Sequence, residues 1–344
     1  LNGLSFVYKY MGDFEKALFY IKKAILYMDS EMSPVIYTDM ADLYSLLGDF
    51  KMALAACRQY EEKEENQSIW YLNQLADTYT NLGEAERAAE IHGRYADKNK
   101  WKSYEKQVDA FGKCGAEAHA RRMLEKWARE LKQCGGVYSS LYFREEKEKR
   151  AGSLRKLFRR KASAEEAREL NRFYIQALWT ELLFGEQKNV AAYAAEMSCY
   201  LREQEKADRV DGKLADLVFS CIVCGMEKQG REFSRELKKC LQEDKFSTDN
   251  TYFNQEKGLL EKKILAAWYI TPDEGIQALL DEEENCGTCH FCTSPVCKEV
   301  EALRILFLIR KGKRKEARER LDNSLEIQPS DEFLLAIRHM VFED

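Results

Sequence analysis

"ADLYSLLGDFKMALAA", Ala41 to Ala56, and "ADTYTNLGEAERAAEI", Ala76 to Ile91, decide the fold of this chain. Both carry Ala-Asp-x-Tyr, then Leu-Gly and an acid, then an alanine five residues after the glycine. "FVYKYMGDFEKALFYI" from Phe6 has Tyr8, Gly12 and Ala17 in the same relation, and "VDAFGKCGAEAHARRM" from Val108 has Phe111, Gly115 and Ala120. The four glycines recur at intervals of 36, 35 and 32 residues. Each unit reads as two helices joined at a glycine, the residue that takes a tight left-handed turn at little cost. The small residues Ala41, Ala53, Ala76 and Ala88 let helices approach closely, and Tyr44, Tyr79 and Phe111 fill the space between pairs. One pair cannot bury its apolar stripe alone, so pairs stack.

The period and these residues resemble the tetratricopeptide (TPR) repeat. The resemblance implies an all-α fold, a right-handed superhelical solenoid of antiparallel helix pairs. It is clear over residues 1–133 and again over 295–344, where Gly312, Ala317, Leu321 and Pro329 follow the same order. Between them the pattern is degenerate. A hairpin is expected to turn near Gly185 and another between Gly225 and Gly230. Helices are expected from Tyr252 to Tyr269 and from Pro272 to Glu284, with Thr271 as cap and Pro272 in the first turn. "SDEFLLAIRHMVF" opens on Ser330 as cap and is apolar along one side, as a helix closing the final repeat would be. The expected layout is therefore TPR repeats over 1–134, an irregular basic connection over 135–162, and degenerate helix pairs over 163–285. A Cys-rich loop over 286–297 and a final hairpin with its capping helix over 298–344 complete it.

The first helix of each TPR pair lines a concave groove, and the ligand-facing position follows its small residue. Here that position holds Asp42, Asp77 and Asp109, with Asn73, Asn81 and Glu105 nearby. TPR proteins that clamp a terminal carboxylate place Lys, Arg and Asn there, so this groove is not expected to do so. Charge complementarity points to a basic or amine-bearing peptide. The competing reading is that these carboxylates belong to ordinary solvated helix faces.

Composition narrows the classes. Of 344 residues a third are charged, four are Pro and the formal net charge is −5, which fits long helices and does not ask for nucleic acid. No apolar run is long enough to cross a membrane. The chain opens in mid-helical pattern without a Met, which reads as a segment of a longer protein. "KRAGSLRKLFRRK", Lys149 to Lys161, carries no acid. It suits an anionic partner such as RNA, DNA or a lipid surface, or else one exposed helix face offset by "REEKEKR" before it. The acidic balance of the whole chain favours the second, so nucleic acid is not the expected partner.

Eleven cysteines, most of them alone in helical stretches, fit a reducing, cytoplasmic setting. Four are concentrated in "CGTCHFCTSPVC": Cys286, Cys289, Cys292 and Cys297. A C-x-x-C turn supplies two ligands of a tetrahedral zinc site, and a third Cys with a helix-borne fourth closes the shell. The spacing is similar to the structural zinc lobe of medium-chain alcohol dehydrogenases, although that lobe has a longer gap to the fourth Cys. The similarity is local and brings no dehydrogenase activity. Idle thiols, an iron–sulfur cluster, a redox dithiol or substitution of His290 for one ligand are the alternatives. "CIVC" at Cys221 and Cys224 lies among Phe219, Ile222 and Val223 and reads as core.

No nucleophile elbow, phosphate-cradling loop or His-rich metal pattern is present, and His92 and His119 fall on second helices. The chain reads as a non-catalytic peptide-binding scaffold with a structural zinc loop. The alternatives are a sensor or regulatory domain of a larger signalling protein, and an enzyme using a metal or redox centre in the Cys loop.

Overall fold

The computed structural model describes residues 1–27, 35–61, 69–94, 96, 100–133, 164–204, 211–243, 259–282 and 298–343. Among the described residues every regular element is a helix. They come in pairs: α1 (Asn2–Tyr10) with α2 (Phe14–Leu26), α3 (Ile36–Leu46) with α4 (Phe50–Glu61), and α5 (Ile69–Asn81) with α6 (Ala85–Gly93). Next come α7 (Lys100–Lys113) with α8 (Glu117–Gln133), α9 (Ala164–Phe184) with α10 (Gln187–Gln204), and α11 (Asp211–Val223) with α12 (Glu227–Glu243). The last pairs are α13 (Leu259–Ala267) with α14 (Asp273–Asp281) and α15 (Lys298–Arg310) with α16 (Arg314–Ile327). A short helix, α17 (Glu332–Ile337), runs on into a π-helical turn, Arg338–Phe342. The fold is an all-α solenoid of TPR-like pairs.

The turns follow one chemistry. Gly12, Gly48, Gly83, Gly115, Gly225 and Gly312 all hold φ between 65° and 76°. At Gly48 the next amide, Asp49 N, donates to Tyr44 O at 2.9 Å; at Gly83, Glu84 N donates to Tyr79 O at 2.9 Å. These bonds satisfy carbonyls that the helix end would otherwise leave bare. Ala17, Ala53, Ala88, Ala120 and Ala317, each five residues past its glycine, have no exposed surface at all. A larger side chain there would push the second helix off the first.

Successive pairs are tied by side chains on a first helix that reach the end of the preceding second helix. The Tyr71 hydroxyl donates to Cys57 O at 3.1 Å, Ser103 Oγ to His92 O at 2.8 Å, and Arg304 to Leu280 O at 2.8 Å. First helices also touch one another, α3 to α5, α5 to α7, α7 to α9 and α13 to α15, so they form the inner layer.

Some local expectations hold and others change. Gly185 does sit at the α9–α10 turn, but it is not left-handed. It is needed because Glu181 crosses it, and a Cβ would lie 1.8 Å from Glu181 Oε2. The α11–α12 turn is complete by Met226, so Gly230 belongs to α12, where the Tyr269 ring packs on its bare backbone. Pro272 stands in the capping position itself and α14 begins at Asp273. Ser330 does not cap α17. Asp331 does, accepting from Leu334 N at 3.0 Å, because the Ser330 hydroxyl is used elsewhere. Cys221 and Cys224 are buried among apolar neighbours, and burial pushes both thiols up to about 12.

The tail helix also does more than cover the final pair. α17 packs on α15 and α16, but it crosses the concavity to reach α9 and α7 as well.

Candidate peptide groove

The inner layer puts the residue six before each turn glycine on one concave row. In order these are Phe6, Asp42, Asp77, Asp109, Phe219 and Leu306. The row is polar in the middle of its amino-terminal half and apolar beyond it. The residue nine before the glycine adds Asp39, Lys106 and Asp216, and the residue two before adds Asn81 and Lys113.

Asp42 on α3 is ion-paired with Lys9 of α1. One turn earlier Asp39 has its carboxyl raised, mainly by burial; Asp42 adds to this and Lys9 opposes it. Asp77 on α5 is solvent-exposed, yet the protein mass around it raises its carboxyl. Exposure combined with desolvation is what a concave wall produces, since a water reaches the group but bulk water does not surround it. Lys106 and Lys113 oppose that rise, while Asp109 and Asp42 add to it, so the three predicted aspartates lie within electrostatic reach of one another.

Asp109 on α7 is half-buried. Burial pushes its carboxyl up, but Lys113 and Lys106 more than offset this, and it ends below the usual carboxylate range. Lys113 Nζ is 3.1 Å from Asp109 Oδ1 and 3.1 Å from Glu332 Oε2 on α17. Glu332 is pushed up to about 8 by burial; Asp109 adds to the shift and Lys113 opposes it. Asn81, at the end of α5, accepts from the Ser330 hydroxyl. Asn73 lies one turn before Asp77, half-buried. Glu105 lies one turn before Asp109, 3.6 Å from Lys102.

The groove therefore divides. Asp39, Asp42 and Asp77 line its amino-terminal part. From Asn81 onward the tail fills it. Phe333 makes edge contacts with Trp179 and Phe219, with centroids 5.0 Å and 4.8 Å away. Behind Trp179, Asp216 accepts from the indole N–H at 3.2 Å and is pushed up to about 7 by burial. A cavity of about 300 Å³ remains beside the tail, lined among others by Thr80, Asn81, Lys113, Ser330, Arg338 and His339.

Sequence reasoning placed the aspartate row and missed Lys9, Asp39, Lys106, Lys113 and the tail residues. Lys113 stands where Asn81 stands in its repeat, so its position was readable. Glu332 was not, because nothing local relates α17 to α7.

Cys286, Cys289, Cys292 and Cys297 lie outside the described residues, as does the basic stretch 149–161. Among the described residues no three His, Cys, Asp or Glu side chains cluster as a metal site. No described helix is long and apolar enough to cross a membrane.

These features define a helical-repeat protein with a concave inner face. The family model TPR_8, tetratricopeptide repeat, matches residues 1–27, the first helix pair. The chain is similar to the crystal structure of the pentatricopeptide repeat protein PPR10 from maize, at 12% identity and a TM-score of 0.31, over 95% of this chain and 53% of that one. It thus spans about half the length of that protein. No curated protein matches the sequence.

Proposed function

We propose that the protein is a non-catalytic scaffold that holds a basic or amine-bearing peptide segment in the amino-terminal part of its groove. One observation carries this reading. Asp39 and Asp77 both have raised carboxyls on the same concave wall, and Asp42 shares that wall, paired with Lys9. Carboxylates in that state gain from a cation brought by a ligand, because it restores the charge compensation that burial removed. A phosphate backbone meeting the same wall would be repelled. Asn73, one turn before Asp77, adds an amide to the same wall, whereas the Asn81 side chain is engaged by Ser330 of the tail. An array of short peptides probed with the intact protein tests the reading: Lys- and Arg-containing members should be enriched.

The groove ligand does not need the Cys loop. We propose for Cys286, Cys289, Cys292 and Cys297 a structural zinc that fixes the hairpin α15–α16 on the array. Four thiols at these spacings, just before the start of α15, support it.

A further inference from the structure

The tail makes contacts that a helix closing the last repeat has no need of. Val341 O accepts from Arg314 of α16, but three other polar contacts run to distant repeats: Ser330 to Asn81, Glu332 to Lys113, and the His339 ring to Gly185 O at 3.1 Å. Its neighbouring side chains Glu332 and Phe333 meet two different groove registers, the Asp109–Lys113 pair and Phe219. Leu334 and Ile337 bury themselves beneath. This is how an amphipathic helix bound in a groove is read, by anchors on one face plus a charge.

The tail also has the make-up of a unit that can leave. α17 has six residues and ends in a π-helical turn, so it has little helical stability of its own. It carries its own cap in Asp331, and only Gln328–Asp331 join it to α16. Lifting it uncovers Trp179 and Phe219, which Phe333 covers, and releases Lys113 from Glu332.

We propose that residues 329–343 are an autoinhibitory strap, a groove ligand supplied by the chain itself. The strap closes the groove beyond Asp77. A short segment binds the aspartate wall with the strap in place, whereas a longer one, continuing with an acid–aromatic helix start, binds only after the strap lifts. The proposal rests on the groove being the binding face, not on its preference for basic peptides.

The test uses the full chain and a labelled synthetic peptide of residues 329–343, followed by fluorescence anisotropy. A strap-weakened chain, Glu332→Ala with Phe333→Ala, should bind the peptide at least tenfold more tightly than the unaltered chain. Adding Lys113→Glu should remove that binding, and a peptide with Glu332→Lys should restore it. A weakened chain that melts cooperatively yet ignores the peptide, or binding indifferent to Lys113→Glu, overturns the proposal. So does a dimer in which straps exchange between copies. If the weakened chain does not fold, hydrogen exchange on the unaltered chain decides. Amides of 332–342 should exchange by a smaller opening than those of α9 and α11. Equal protection would make the tail plain core and overturn the strap.

Discussion

Lys113 Nζ stands 3.1 Å from a carboxylate oxygen of Glu332, and this contact joins the fourth helix pair to the tail across the concave face. With Asp109 equally close, one ammonium serves two carboxyls. The solenoid is thereby tied between repeats that are remote in sequence, not only between neighbours.

Breaking the tie should loosen the tail first. Lys113→Glu leaves three acids together and is expected to cost about 1–3 kcal/mol, less than a fully buried pair would, because both partners keep some solvent contact. Glu332→Lys in the same chain should recover most of the loss. A double-mutant cycle on thermal melting checks this.

The tie also sets a pH dependence. Glu332 has its folded value raised from 4.5 to about 8, so the folded state holds a proton that the unfolded state releases. Its contribution is full below about pH 4.5 and is lost as pH rises through 8. Lys113, raised above the usual ammonium range, and Asp109, held below the usual carboxylate range, face the same group and stay charged across that window. Protection of the tail amides, with exchange corrected for its intrinsic base catalysis, should therefore fall between about pH 4.5 and 8, and Glu332→Gln should flatten that fall.

On the acid side His92 acts with the opposite sense. Burial lowers it from 6.5 to about 4, with Lys106 assisting, so the folded state takes up fewer protons. Stability should fall as pH drops from 6.5 towards 4, in melts that report the amino-terminal repeats. His92→Gln should lessen this fall.

Two glycines should fail for different reasons. Gly83 has φ of 76° and no heavy atom within 4 Å of a built Cβ. Gly83→Ala should therefore cost about 1–2 kcal/mol through backbone strain alone. Gly230→Ala places its Cβ 2.2 Å from the Tyr269 ring. Its cost, about 1–3 kcal/mol, comes from overpacking. Adding Tyr269→Leu should rescue Gly230→Ala and leave Gly83→Ala unchanged.

Much of this was legible from spacing. Gly12, Gly48, Gly83 and Gly115 gave the turns, and the alanines five residues later gave the contact between paired helices, because both depend on local backbone geometry. Gly185 marked its turn correctly, although Glu181 crossing the backbone, and not a left-handed φ, requires it; at the next hairpin Gly225 makes the turn, and Gly230 is a glycine inside α12 where the Tyr269 ring crosses the backbone. The aspartate row was readable because it follows the repeat. The strap was not, since a contact between Glu332 and Lys113 depends on how far the whole array curves.

For the Cys loop, protein purified without chelator should carry one zinc per chain by mass spectrometry. Cys289→Ser should abolish it, and chelation should lower the melting temperature. An unchanged melt would leave a cluster of thiols without a structural metal.

The aspartate wall is the central claim, and calorimetric titration of the best array peptide tests it most directly. The account predicts that a Lys- or Arg-bearing peptide binds the intact protein and that Asp42→Asn with Asp77→Asn weakens it at least tenfold. Added salt should weaken it further. Undiminished binding to the double variant, or tighter binding of acidic peptides, would contradict it.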